Sequence, residues 1–158
     1  MLFPTAVHPL IGAHRGASAD APENTMAAFE QGAELIEFDV HRAKDGVLVV
    51  IHDSDLKRVT GTSGLVEERT AVQLRDLDAG SWKDERWASE RIPTLDQVLD
   101  HHGASVFLNV EIKVGSVHFL GSPVRWPRRC GGGNSMTGSW SPVSSGSIFR
   151  NCAAWIPP

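Results

Sequence analysis

The chain has 158 residues and a formal net charge of -4, with 41% hydrophobic and 22% charged residues, the make-up of an ordinary globular domain. The acidic balance argues against nucleic acid as a partner, and no apolar run is long enough to insert across a membrane. The start, MLFPTAVHPLIGAHRG, lacks a basic region followed by an apolar stretch and a small-residue cleavage site, so a cytoplasmic location is expected.

LIGAHRG, residues 10–16, reads as a short buried strand running into a polar loop. In APENTMAAFEQGAE, Asn24 or Thr25 can cap a helix with Met26, Phe29 and Ala33 at helical spacing, and Gly32 is its expected stop. LIEFDV alternates: Ile36, Phe38 and Val40 share one face of a strand, and Glu37, Asp39 and His41 the other. After the turn signal KDG, the apolar run VLVVIHD predicts a strand buried on both faces. LKRVTGTSGLVEE reads as a loop. TAVQLRDLDAG opens with a capping box, Thr70 with Gln73, and is expected to end at Gly80. RIPTLDQVLDHHG repeats the device with Thr94 and Gln97, and Gly103 is the stop. ASVFLNVEIKV is a further buried strand, with Asn109, Glu111 and Lys113 on one face. Strands alternating with helices predict an α/β fold with a largely parallel sheet.

The apolar strands carry their polar residues near their C-terminal ends: His14 and Arg15, Glu37 and Asp39, Glu111 and Lys113, and then His52 and Asp53. In parallel α/β folds that edge of the sheet is where ligands bind. Three carboxylates converging from two strands suit a hard divalent cation, Mg²⁺ or Ca²⁺. Two histidines can move protons near neutral pH. Arg15 and Lys113 can hold an anion, of which phosphate is the obvious choice. Each feature alone has an ordinary reading: the wet face of an edge strand, a turn, a surface arginine, or a surface ion pair. Their joint occurrence at strand ends is what points to a site.

In order, HRG (14–16), PENT (22–25), EFDV (37–40), DGVLVVIHD (45–53) and EIK (111–113) resemble the glycerophosphodiester phosphodiesterase family. The resemblance covers about residues 8–113. It implies the N-terminal portion of a (β/α)8 TIM barrel with a small insertion, here at about Asp45 to Trp87, and an incomplete barrel. It implies hydrolysis of a small-molecule glycerophosphodiester to glycerol 3-phosphate and an alcohol with a divalent metal. By resemblance Glu37, Asp39 and Glu111 are metal ligands, and His14 and His52 the acid–base pair. Arg15 and Lys113 bind phosphate, while Glu23 and Asn24 support the site beside the metal. Which histidine is acid and which base stays open, as does whether water or a neighbouring substrate hydroxyl attacks. A phospholipase C- or D-like activity on intact lipid is the alternative within enzymes. It is disfavoured by the lack of an amphipathic membrane-binding stretch before residue 113.

All 19 acidic residues lie at or before Glu111, and residues 114–158 are rich in Gly, Ser, Pro and Trp. A whole barrel of this kind needs about 250 residues. The tail is therefore expected to come from a shifted reading frame, or the chain to be a truncated, inactive fragment, with a diverged or disordered native tail as the alternative. Open sheet edges would then favour self-association.

Overall fold

The computed structural model describes residue 9, residues 11–103 and 105–113, and the backbone of a strand at 147–152. Strands β1 (Gly12–His14), β2 (Leu35–Arg42), β3 (Leu48–Val50), β4 (Phe107–Lys113) and β5 (Ser147–Cys152) form one sheet in the order β1-β2-β4-β5, with β3 also paired to β2. Helices α1 (Met26–Glu30), α2 (Lys57–Thr60), α3 (Ala71–Arg75) and α4 (Leu95–His102) lie between the strands. β1, β2 and β4 are parallel. This is a partial α/β fold, as expected.

The helix starts follow the sequence signals. Thr25, Thr70 and Thr94 are the N-caps, each side chain accepting a backbone N–H three residues on, and the last two complete capping boxes with Gln73 and Gln97. One stop differs. The helix expected to reach Gly80 ends at Arg75. Asp78 builds a turn of its own there, its carboxylate accepting from the amides of Gly80 and Ser81 and from the Ser81 hydroxyl. Gly80 itself is pressed against Trp87, whose carbonyl oxygen a Cβ would meet at 1.9 Å.

The inner face of the sheet carries the alternating apolar residues. Ile36, Phe38 and Val40 of β2 and Leu108, Val110 and Ile112 of β4 are buried with Phe29 of α1 and Leu95, Val98 and Leu99 of α4. Each such side chain contributes about 1.5–3 kcal/mol by leaving water. A second cluster, which includes Ile51, Leu56, Val59, Val66, Leu74 and Ile92, gives the segment between β2 and α4 a core of its own.

Two sheet expectations are corrected. The apolar run ending at His52 and Asp53 is buried as expected, but its strand is short and does not join the parallel part of the sheet. Only Leu48–Val50 pairs, and antiparallel to β2, with Val40 opposite Val50. The connection after Arg42 is a tight turn in which the Gly46 amide donates to Ala43 O and Gly46 takes φ 86°. So short a link reverses the chain, whereas a parallel return needs a dozen or more residues. The outer edge of β4 is also not open, because the backbone of β5 pairs along it antiparallel, Glu111 opposite Phe149. A row of unpaired N–H and C=O groups is a template for any extended segment.

Candidate active site

Register assembles the site. His14 of β1 stands beside Glu37 of β2, and Asp39 of β2 beside Glu111 of β4. Paired residues of neighbouring parallel strands project from the same face, so these side chains share the face opposite the apolar core. Glu37, Asp39 and Glu111 each offer a carboxylate oxygen, and these atoms lie within 4.8 Å of one another. The antiparallel turn-back brings His52 to the same level, since the Ile51 amide donates to Asp39 O at 3.0 Å.

The loop after β1 closes over this group. Arg15 and Asn24 both adopt left-handed backbone, φ 59° and 58°, which is uncommon outside glycine and typical of sites where geometry outweighs local comfort. Gly16 between them takes φ 77° and lies so close to α1 that a Cβ would sit 2.8 Å from Ala28 Cβ. The Arg15 amide donates to Glu37 Oε2 at 3.1 Å. Asn24, buried, donates from Nδ2 to Asp39 Oδ2 at 3.1 Å and accepts the Asp39 amide on Oδ1 at 3.4 Å.

Asp39 is only 1% exposed, and a carboxylate so buried needs partners. Besides Asn24 it has Lys113 Nζ at 3.1 Å and Arg15 Nε at 3.6 Å. Lys113 also donates to Glu111 Oε1. Burial opposes the lysine's charge, but its bonds to Glu111 and Asp39 prevail and hold its pKa above the usual value. Glu37 goes the other way. Burial pushes its carboxyl above the usual range; the Arg15 amide counters this, and the negative charges of Asp39 and Glu111 add to it. With hard oxygen donors from two strands, the three acids form a group fit to hold a divalent metal. Arg15 Nε is buried, makes no hydrogen bond, and faces Asp39 Oδ2 at 3.6 Å as an ion pair.

Glu23 sits apart from the trio. Its carboxylate receives Arg15 Nη1 at 3.0 Å and the Arg58 guanidinium at 2.7 and 3.1 Å. His52 Nδ1 lies 2.8 Å from Asp53 Oδ1, and Arg58 Nε 2.5 Å from Asp53 Oδ2. Glu23, Asn24 and His52 also line one small cavity with apolar walls that include Val50, Val59 and Ile92. His14 is the most open member, its side chain 70% exposed, with Nε2 3.9 Å from Glu37 Oε2.

Three residues at the site escaped the sequence reading of roles. Asp53 was legible only as the neighbour of His52. Arg58 lies in LKRVTG, expected to be a loop, yet α2 forms there and turns the arginine towards Glu23, 35 residues away. The alternation of LIEFDVH puts His41 on the polar face of β2 and assigns it no task. It is 8% exposed and donates from Nε2 to His52 O at 2.9 Å. Nothing in local spacing announces either long-range contact.

The sequence matches the family described as the glycerophosphoryl diester phosphodiesterase family over residues 14–140, a stretch that continues past the last recognised motif at Lys113. It is 49% identical over 117 residues to a glycerophosphodiester phosphodiesterase of Caldanaerobacter subterraneus subsp. tengcongensis, covering 71% of this chain and 48% of that relative. The fold is similar to the crystal structure of glycerophosphodiester phosphodiesterase from Agrobacterium tumefaciens, with TM-score 0.65 and 41% identity over 68% of this chain and 48% of that one. It is also similar to an Oleispira antarctica phosphodiesterase solved with its product sn-glycerol-3-phosphate, with TM-score 0.60 and 41% identity over 66% of this chain and 44% of that one. The chain thus spans about half the length of the relatives it matches. With the family match over most of its length and the five motifs on one assembled site, the chain belongs to the glycerophosphoryl diester phosphodiesterase family.

Proposed function

We propose that these residues hydrolyse a small glycerophosphodiester to glycerol 3-phosphate and an alcohol, as the product in the Oleispira antarctica phosphodiesterase suggests by likeness. The observation that carries this reading is the meeting of Glu37, Asp39 and Glu111 on one face with Arg15, Lys113 and His52 around them. A phosphodiester resists attack because its anionic oxygens repel a nucleophile. Arg15 and Lys113 offer positive charge to those oxygens. Glu37, Asp39 and Glu111 would hold the metal, Mg²⁺ or Ca²⁺, which when bound supplies further neutralisation of phosphate charge. One of His14 and His52 takes the proton of the attacking oxygen, and the other delivers a proton to the departing alkoxide. Asn24 keeps Asp39 in place, and Glu23 keeps Arg15 in place, through the bonds above.

The test is release of glycerol 3-phosphate from glycerophosphocholine by the purified chain, with and without a chelator and with His52→Ala as control. Chelator-sensitive release that His52→Ala abolishes supports the proposal. Soluble, folded and inert protein favours a second reading, a fragment without activity of its own. That reading draws on the three parallel strands found among the described residues, where a whole barrel has eight.

The cytoplasmic location belongs to this proposal, and cell fractionation tests it. Among the described residues no helix is long and apolar enough to cross a membrane. Self-association through open sheet edges, with β1 and β5 as the terminal strands of the sheet, is also part of it, read out as mass in solution by light scattering. So is a boundary after residue 113 caused by a shifted frame or truncation. The loss of acidic residues after Glu111 favours that boundary, the family match continuing to residue 140 counts against it, and resequencing across codon 113 decides.

A further inference from the structure

We propose that Arg58 is a positioning residue that sets the ring of His52 for proton transfer and, through Glu23, ties it to the anion-binding Arg15. The inference rests on the reading of His52 as an acid–base group.

The geometry is a chain of alternating charges. His52 Nδ1 is 2.8 Å from Asp53 Oδ1. A carboxylate only accepts, so Nδ1 carries the proton and Nε2 is the nitrogen left to exchange one. Asp53 is the next residue along and part-exposed, so its carboxylate needs an anchor to stay on the ring. Arg58 Nε provides it at Asp53 Oδ2, 2.5 Å away. The two terminal nitrogens of the same guanidinium grip both oxygens of Glu23, at 3.1 and 2.7 Å. Glu23 Oε1 in turn receives Arg15 Nη1 at 3.0 Å. One planar fork therefore spans two carboxylates at fixed angles. The Arg58 guanidinium also lies over the ring of Trp82, 5.9 Å from its centroid, a further restraint on its direction.

A surface ion pair alone would carry little. This one differs because its two acids come from distant parts of the chain. Glu23 lies in the loop before α1 and Asp53 after β3, while Arg58 itself sits on α2, packed down by Val59 and Leu56 in the second core cluster. The segment between β2 and α4 thus reaches the site by this arginine.

The test reads the histidine ring directly. The full chain is labelled with 15N-histidine and its long-range 1H–15N spectrum recorded at about pH 8.5, where unperturbed rings are neutral; His52 is assigned by a His52→Gln variant. In the wild type, His52 is expected with its proton on Nδ1. In Arg58→Gln, the tautomer ratio should move towards Nε2–H by about tenfold or more, the change that about 1.4 kcal/mol produces. The signals of buried His41 should stay in place and report the fold. Arg58→Lys keeps the charge but lacks the fork, and should shift the ratio in the same direction by less. If Arg58→Gln does not fold, Arg58→Lys decides alone. A His52 spectrum unchanged in the folded variant overturns the proposal. The readout is independent of turnover. A chain that is inert towards glycerophosphocholine yet shows the shift refutes the hydrolase reading and keeps the role of Arg58. An active chain with an unmoved ring does the reverse.

Discussion

Asn24→Ala separates two contributions that meet at one residue. Asn24 is 4% exposed, bonded twice to Asp39, and held at φ 58°. Alanine removes the donor to a buried carboxylate, which costs about 1.5–3 kcal/mol. It also places a residue with a Cβ and no stabilising side chain in left-handed backbone, at about 1–2 kcal/mol. The expected loss is therefore about 2.5–5 kcal/mol, a large part of the 5–15 kcal/mol typical of a domain. Asn24→Gly loses the same hydrogen bonds but relieves the backbone. It should be about 1–2 kcal/mol more stable than Asn24→Ala, even though glycine is ordinarily the worse residue for stability. Urea unfolding followed by tryptophan fluorescence gives both values. Equal stabilities, or alanine above glycine, would refute the argument that left-handed strain is held in place by the bond to Asp39.

Further outcomes test the core, the metal site and the pH response. Phe38→Ala removes a fully buried ring whose centroid is 5.5 Å from that of Phe29, and should cost about 3–5 kcal/mol in the same unfolding assay. Lys113→Met removes an ammonium 3.1 Å from Asp39 and should raise Mg²⁺ or Ca²⁺ affinity by about tenfold or more in calorimetric titration, while weakening phosphate binding. A fall in metal affinity would show that the lysine organises the carboxylates rather than competing with the ion. Burial holds the His41 pKa below its usual 6.5, and this outweighs the opposing effects of the His52 carbonyl and Asp39. Its contribution is present in full above that value and is lost as the pH falls from 6.5 through the folded value, because the unfolded chain takes up the proton first. Comparing stability at pH 7.5 and 5.5 in the wild type and in His41→Gln checks this: the variant should lose less on acidification.

Much of the local structure is legible along the chain. A threonine side chain reaches a backbone N–H three residues on without help, so the caps at Thr25, Thr70 and Thr94 were legible. Strand alternation alone put Glu37 with Asp39, and Glu111 with Lys113, on single faces. It could not say which rows face each other, because register is a property of two strands. Only the packing of Phe38 and Val110 into one core sets Asp39 beside Glu111. Tertiary structure also decided that the run after Gly46 turns back, which carries His52 to the carboxylates instead of along a parallel strand. It brought Arg58 across to Glu23, a contact between segments whose separation leaves no periodic trace. The residue types that make the chemistry are local and can be read along the chain; the distances that let them act together come from the folding of segments far apart in it.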